Sequence, residues 1–579
     1  MKSNIKNNLT AIPDEWLTHY EKSGFTESPR YKETINYFNN FAEKTNNAKI
    51  VSVGSSTQGR KIKCLVVSSG KEFNPQKAKE SHKAIVLIQN GIHAGEIEGK
   101  DASMLLLREI LVTKEKEYLL DNLILLVIPI FNVDGHERIS AFNRPNQNGP
   151  KEMGWRTTAW NLNLNRDYMK SDSPEMEEYL KFFNNWLPDF VIDNHTTNGA
   201  DYQYHLTYVL EKHANIHHSL AAWGKNSFLP GVIPKVEKDG FLTAPYVEMK
   251  GKKITDGIID WNALPRFSTG YSALQNRLSL LVETHSLKPF ENRVSSTKSV
   301  LDHTLEFLNN NSTELVQLNQ NADNDTIETY ALKKTPFPVS FKSTNDYVPF
   351  IFKGFEFIEE QSEITGSTVI RYTDKPVEYE IPLYNKVEVD KTVRLPYAYL
   401  IPQEFKSIID RMRVHRIKST RFFATKQAKV ERYRFKNISF APFSYEGRHM
   451  VDFDIQPFTE VVEIQEGTFI IYPNQRTLRI LINLLEPAAP DSFVRWGFFN
   501  AFFERKEYAE EYVLEPFARE MLKKDERVRN EFLKKLNENE NFRNDPKERL
   551  EFFYKRSPFF DRGEKVYPIM RVLSKKDLI

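Results

Sequence analysis

Three short apolar runs of this sequence each lead into a side chain that can bind a metal ion or move a proton. Ala84-Ile85-Val86-Leu87-Ile88-Gln89-Asn90 is followed by Gly91-Ile92-His93-Ala94-Gly95-Glu96, which sets an imidazole and a carboxylate three residues apart. Small Ala94 and Gly95 let the chain turn sharply there, and zinc accepts a mixed nitrogen and oxygen donor set. His and Glu fall at this spacing by chance in many proteins, so the pair needs a third ligand. Phe190-Val191-Ile192-Asp193-Asn194 ends in His195, and Leu278-Ser279-Leu280-Leu281-Val282 ends in Glu283. Between them, Gly154 to Lys170 contains Arg156 and Arg166 flanked by amide side chains. Their guanidinium groups stay charged and suit an anion or a developing oxyanion. Taken singly, each has an ordinary reading: a capped strand-ending His, a surface ion pair, a solvated Arg.

These groups act together only if the fold brings them together. Apolar runs at 49–53, 62–67, 84–89, 123–130, 190–193 and 278–283 read as strands. Helical spacing over 31–44, 102–112, 175–186, 214–223 and 297–308 completes an α/β pattern. Where such strands run parallel, the residues that end them gather at the carboxyl edge of the sheet, where ligands bind. That edge would hold His93, Glu96, His195 and Glu283.

At 579 residues the chain exceeds one hydrophobic core. We read 1–27 as an N-terminal extension, 28–325 as the catalytic domain, 326–485 as a β-rich accessory domain of sandwich type and 486–579 as a helical C-terminal segment. The stretch beginning at Asn309 reads as the end of a helix and a linker. Helical spacing interrupts the β-rich region over 405–417, and aromatics recur at helix-like intervals over 498–503 and 508–522. Near-balanced charge, +2 overall, removes the electrostatic case for nucleic acid or an anionic membrane as partner. A single cysteine, Cys64, excludes both an intramolecular disulfide and a thiolate zinc cluster. No apolar stretch reaches the roughly 20 residues of a membrane span, so the expectation is a soluble protein, either cytoplasmic or, with a leader trimmed, periplasmic or secreted. The oligomeric state has no signature.

From about Tyr31 to about Asn309 the chain resembles the zinc carboxypeptidases, the relatives of pancreatic carboxypeptidase A, through landmarks in the family's order. Gly54-Ser55-Ser56-Thr57-Gln58-Gly59-Arg60 resembles the GxSxxGR turn; His93-Ala94-Gly95-Glu96 the HxxE zinc pair; Asn132-Val133-Asp134-Gly135 the NPDG turn. Trp155-Arg156 resembles the WR pair and Asn165-Arg166 the NR pair, and His195 and Glu283 match the third ligand and the general base. The resemblance implies a mixed central sheet flanked by helices and one Zn2+ per chain held by His93, Glu96 and His195. It implies a zinc-activated water, Glu283 as general base and Arg156 on the scissile carbonyl. Asn165 and Arg166 would grip the free C-terminal carboxylate of a peptide substrate.

Two departures stand out. Asn163 occupies the position of an Asp that orients the first zinc histidine, and Gly95 replaces an arginine within the zinc pair. Tyr271, beside Gly270, is the expected tyrosine that closes over substrate, while packing roles suit His285, Asp201 and Tyr204. Competing functions are deacylation of N-acyl amino acids, cleavage of murein peptides, or peptide binding by an inactive relative. The spacing over 54–59 does not fit a serine nucleophile elbow.

Overall fold

A computed structural model describes residues 12–197 and 199–578. The central sheet has eight strands: β1 (Ala48–Ser55), β2 (Lys61–Val67), β3 (Ala84–Asn90), β4 (Leu123–Ile128), β5 (Phe190–Thr197), β6 (Leu206–Leu210), β7 (Thr243–Pro245) and β8 (Leu278–His285). Their spatial order is β1-β2-β4-β3-β5-β8-β6-β7. The four central strands β4, β3, β5 and β8 are mutually parallel, whereas β1, β2 and β6 join antiparallel. The chain is therefore mixed α/β, as its alternation of apolar runs and helices predicts.

Strand parity divides the interior into two cores. Ile85 and Leu87 of β3, with Ile124 and Leu126 of β4, point to one face, and Ala84, Val86, Leu123 and Leu125 point to the other. The second face is covered by α1 (Tyr31–Lys44), α2 (Glu98–Leu111) and α5 (Phe290–Asn310). The first takes α3 (Pro174–Trp186) and α4 (Ser268–Leu274). Both faces are buried, which explains why the parallel strands read as apolar runs.

The stretch after Asn309 is a helix, not a linker: α6 (Ser312–Thr326). Its buried seam is narrow and half polar, with Leu315 and Ala322 beside Asn319, whose amide donates to Asp189. Two apolar residues are too few to stand out as helical periodicity. Beyond it, β9 (Val348–Gln361) and β10 (Thr368–Tyr384) pair as a long hairpin. A six-stranded sheet is built from β11 (Ala398–Ile401), β12 (Thr420–Arg421), β13 (Lys426–Phe440), β14 (Val451–Ile464), β15 (Phe469–Ile471) and β16 (Met570–Val572). Hairpins of 14- and 17-residue strands replace the short sandwich strands expected. The helical spacing near 405 is α7 (Lys406–Val414), and α8 (Leu478–Leu485) is buried along its whole length. The aromatics at 498–503 make only one turn, Asn500–Phe503. Helices α9 (Glu511–Lys524), α10 (Glu526–Glu538) and α11 (Pro546–Tyr554) enclose a small core of Phe532, Phe542 and Phe552.

The hydrophobic cluster on the first face runs without a break from Leu87, Leu180 and Tyr271 to Tyr399, Ile409, Phe435, Phe453 and Ile569. Packing therefore crosses the position drawn at 325/326. At the other end Trp16 stacks on Phe41 within the second core, so residues 12–27 pack against the sheet domain; 1–11 lie outside the described residues. Among the described residues no helix is long and apolar enough to cross a membrane.

Candidate active site

At the carboxyl ends of the parallel strands, His195 and Glu283 sit opposite each other in register on β5 and β8, and Asn90 at the end of β3 is opposite Asn194. The loop leaving β3 carries His93 and Glu96 into the same space. His93 Nδ1 lies 3.1 Å and His195 Nδ1 2.9 Å from Glu96 Oε2, and all three residues are almost fully buried.

The outer nitrogens are committed. His93 Nε2 donates to Asn163 Oδ1 at 3.1 Å, and His195 Nε2 donates to Asp193 Oδ2 at 2.9 Å. Each hydrogen bond turns its ring so that a lone pair at Nδ1 faces the Glu96 carboxylate. Three electron-pair donors whose ligand atoms all lie within 4.8 Å of one another in a buried spot call for a cation between them. Two imidazoles and one carboxylate are a donor set zinc accepts. Burial pulls His93 down to about 3, keeping it neutral as a ligand must be. For His195 burial opposes protonation, but Asp193 and Glu96 hold the ring well above the ordinary range. Burial, with the nearby Glu96 and Asp193 charges, raises Glu283 against the pull of His195 and Arg156.

His93, Glu96, His195, Arg156, Asn165, Arg166 and Glu283 all line one cavity of about 370 Å³. Arg156 Nη1 approaches Glu96 Oε1 at 3.4 Å. Asn165 Oδ1 accepts the Ser268 N–H at 3.0 Å. Arg166 stacks on Phe267, 4.3 Å from the ring centre, and donates through Nη1 to the Asn165 carbonyl at 2.8 Å. Asn163 Oδ1 also accepts the Asn165 N–H at 2.9 Å, so one amide oxygen ties the His93 ring to the Asn165-Arg166 turn.

Tyr271 is not in this cavity. On α4, Tyr271 and Leu274 fall on the same inward face, so the phenol enters the core and is fully buried. Its hydroxyl meets His415 Nδ1 at 3.0 Å and accepts from Gln275 at 2.9 Å. The tyrosine that does line the cleft is Tyr246, edge-on to Trp261 at 4.9 Å and hydrogen-bonded to the Thr197 side chain. It lies outside any strand-ending motif. His285 pairs with Asp201 at 3.0 Å and stacks on Tyr202, and Tyr204 accepts from the Lys353 N–H; none of the three lines the cavity.

Other residues come from positions with no sequence signal. A side chain at Gly95 would sit 2.5 Å from Arg144 Cγ, because the Arg144 stem fills that space. The Arg144 guanidinium then grips Glu96 Oε1 at 2.6 Å and lines the cavity. Its loop is anchored by buried Arg293, which binds Glu98 and collects the carbonyls of Asn148, Gly149 and Ser286. From the loop between β13 and β14, Tyr445 Oη accepts from Arg166 Nε at 2.9 Å, and Glu446 accepts the Asn163 N–H at 2.8 Å. The β-rich region thus touches both the His93 support and Arg166.

Residues 34–201 match the family model described as zinc carboxypeptidase. Carboxypeptidase 2 of Trichophyton tonsurans is 23% identical over 459 residues, spanning 76% of this chain and 78% of the relative. Carboxypeptidase 2 of Trichophyton rubrum is 24% identical over 468 residues, with coverage of 76% and 78%. Among solved structures, a metallo-carboxypeptidase from Pseudomonas aeruginosa is 17% identical with a TM-score of 0.37, covering 49% of this chain and 69% of its own.

Proposed function

Because the chain belongs to the zinc carboxypeptidase family, we propose that this metallocarboxypeptidase removes residues from the free C-terminus of peptides at the cavity bounded by His93, Glu283 and Arg166. The observation that carries the reading is that metal-type donors, a buried carboxylate and two guanidinium groups line one cavity. His93, Glu96 and His195 would hold zinc. When bound, zinc supplies a Lewis acid and makes water acidic enough to react at neutral pH.

Glu283 receives the proton of the attacking water on its carboxylate and passes it to the leaving amine nitrogen. Its burial favours a carboxylate basic enough for that exchange. Arg156 donates an N–H to the carbonyl oxygen as negative charge develops there. Arg166, with the Asn165 amide, holds the substrate's terminal carboxylate, and that grip fixes which peptide bond lies beside Glu283. Arg144 keeps the Glu96 carboxylate oriented by occupying its second oxygen. Asn163 and Asp193 fix the histidine tautomers.

Matched peptides with free and amidated C-termini test the exopeptidase reading. A site built to hydrogen-bond a carboxylate rejects a substrate lacking it, so kcat/KM should drop by about a hundredfold or more on amidation. Equal cleavage of both, or fragments from internal bonds, would overturn it. Mass spectrometry of a digest time course reads both outcomes.

Tyr445→Phe provides a finer check. Removing one hydrogen bond that steadies Arg166 should raise KM roughly two- to tenfold with kcat little changed. A fall in kcat at constant KM would assign Tyr445 elsewhere.

A further inference from the structure

A second cavity, about 270 Å³, lies behind the catalytic cleft and shares a wall with it. Trp261, Phe267, Ser268 and Thr269 face the cleft, whereas Asn262, Ala263, Leu264, Pro265 and Gly270 line the second cavity. The wall is tight: a side chain at Gly270 would sit 2.1 Å from the Leu264 carbonyl oxygen.

Arg479, on buried helix α8, contributes a cation to this cavity while being only 2% exposed. Among the described residues it forms no ion pair: Asp323, the carboxylate that acts on it from a distance, is paired with Arg277 at 3.2 Å. One Nη donates to the Asn215 carbonyl, the Phe337 ring lies 5.3 Å away, and buried Nε has no partner among the described residues. Burial lowers the guanidinium to about 10, which leaves it charged at neutral pH. Two acceptor atoms in the same lining are also buried and, among the described residues, unpartnered: Asn215 Oδ1 and Asn262 Oδ1. Asn215 spends its amide nitrogen on Glu211, so its oxygen is the group left over. Leu264, Leu274 and Phe337 supply apolar wall.

An unpaired buried cation and two unpaired acceptors each cost stability unless something binds them. We propose that this cavity is a second ligand site for a free α-amino acid with an apolar side chain. Arg479 takes the carboxylate, the amide oxygens of Asn215 and Asn262 take the ammonium, and Leu264, Leu274 and Phe337 pack the side chain. The cavity has the volume of about nine waters, enough for one amino acid and too little for a peptide. The assignment rests on this lining alone and stands independently of the catalytic reading.

A leucine analogue with a diazirine side chain, photolysed on the zinc-loaded protein and mapped by mass spectrometry, tests it. Labels are expected at 263–265 and 337–341, competed by leucine but not by leucinamide or N-acetyl-leucine. Arg479→Met should weaken that labelling by about tenfold or more, the effect of losing a charge-assisted hydrogen bond. Should that variant misfold, Ser340→Phe, which fills the cavity from a half-exposed wall and leaves Arg479 in place, should give the same loss. Labels confined to cleft residues such as Tyr246 and Phe267 would overturn the proposal. So would competition by leucinamide equal to that by leucine, as for a cavity that holds only water.

Discussion

Glu283→Gln is expected to lower kcat by about 10²–10⁴-fold, the usual worth of a positioned proton-transfer group, while zinc content and peptide affinity stay near those of the parent. Glutamine keeps the shape and the hydrogen-bonding oxygen at the end of β8 but cannot accept a proton. Among the described residues the Glu283 side chain forms no hydrogen bond to His93, Glu96 or His195, so the glutamine amide leaves the donor set intact. Steady-state kinetics beside metal analysis by plasma mass spectrometry separates the two effects. Loss of zinc together with activity would make Glu283 part of the metal site, and unchanged kcat would remove it from the chemistry.

His195→Ala should have the largest effect on zinc itself. Losing a hydrogen-bonded neighbour of a metal ligand costs roughly 10–100-fold in affinity, and losing the ligand should exceed that. The substitution also takes one partner from each of two buried carboxylates, since His195 lies between Glu96 and Asp193, 2.9 Å from each; Glu96 keeps Arg144, but Asp193 is left with only the neutral Gln89 and Ser268. Uncompensated buried charge is costly, so circular dichroism must show that the variant is folded before its zinc is titrated against a chelating dye. A folded His195→Ala protein that binds zinc as tightly as the parent would show the metal to be held elsewhere.

His195 and Glu283 illustrate how a strand-ending residue becomes a candidate ligand or base. Strands β3, β5 and β8 are buried on both faces, so each carries an apolar run, and buried polar side chains follow that run towards the carboxyl end of the strand. That is why His195 and Glu283 were legible as convergent from one-dimensional patterning. The same logic failed for Tyr271, which follows a glycine as a mobile residue might but lies on the inward side of a short buried helix. It failed again for α6, whose seam of Leu315, Asn319 and Ala322 is too polar to reveal burial.

Residue type and order alone were enough for the α/β class and for naming the candidate donors and the basic and carboxylate groups that line one cavity, because each is announced by the end of an apolar run or by a compact local motif. Tertiary structure alone decided that Arg144 fills the space left by Gly95, that Tyr246 rather than Tyr271 faces the cleft, and that Tyr445 and Glu446 reach back to Arg166 and Asn163. It also decided that Arg479 is buried without a counterion among the described residues. Such contacts depend on which side chain meets which across a packed interface. Close packing selects those partners by shape and charge between segments far apart in the chain, and that selection leaves no periodic trace along it.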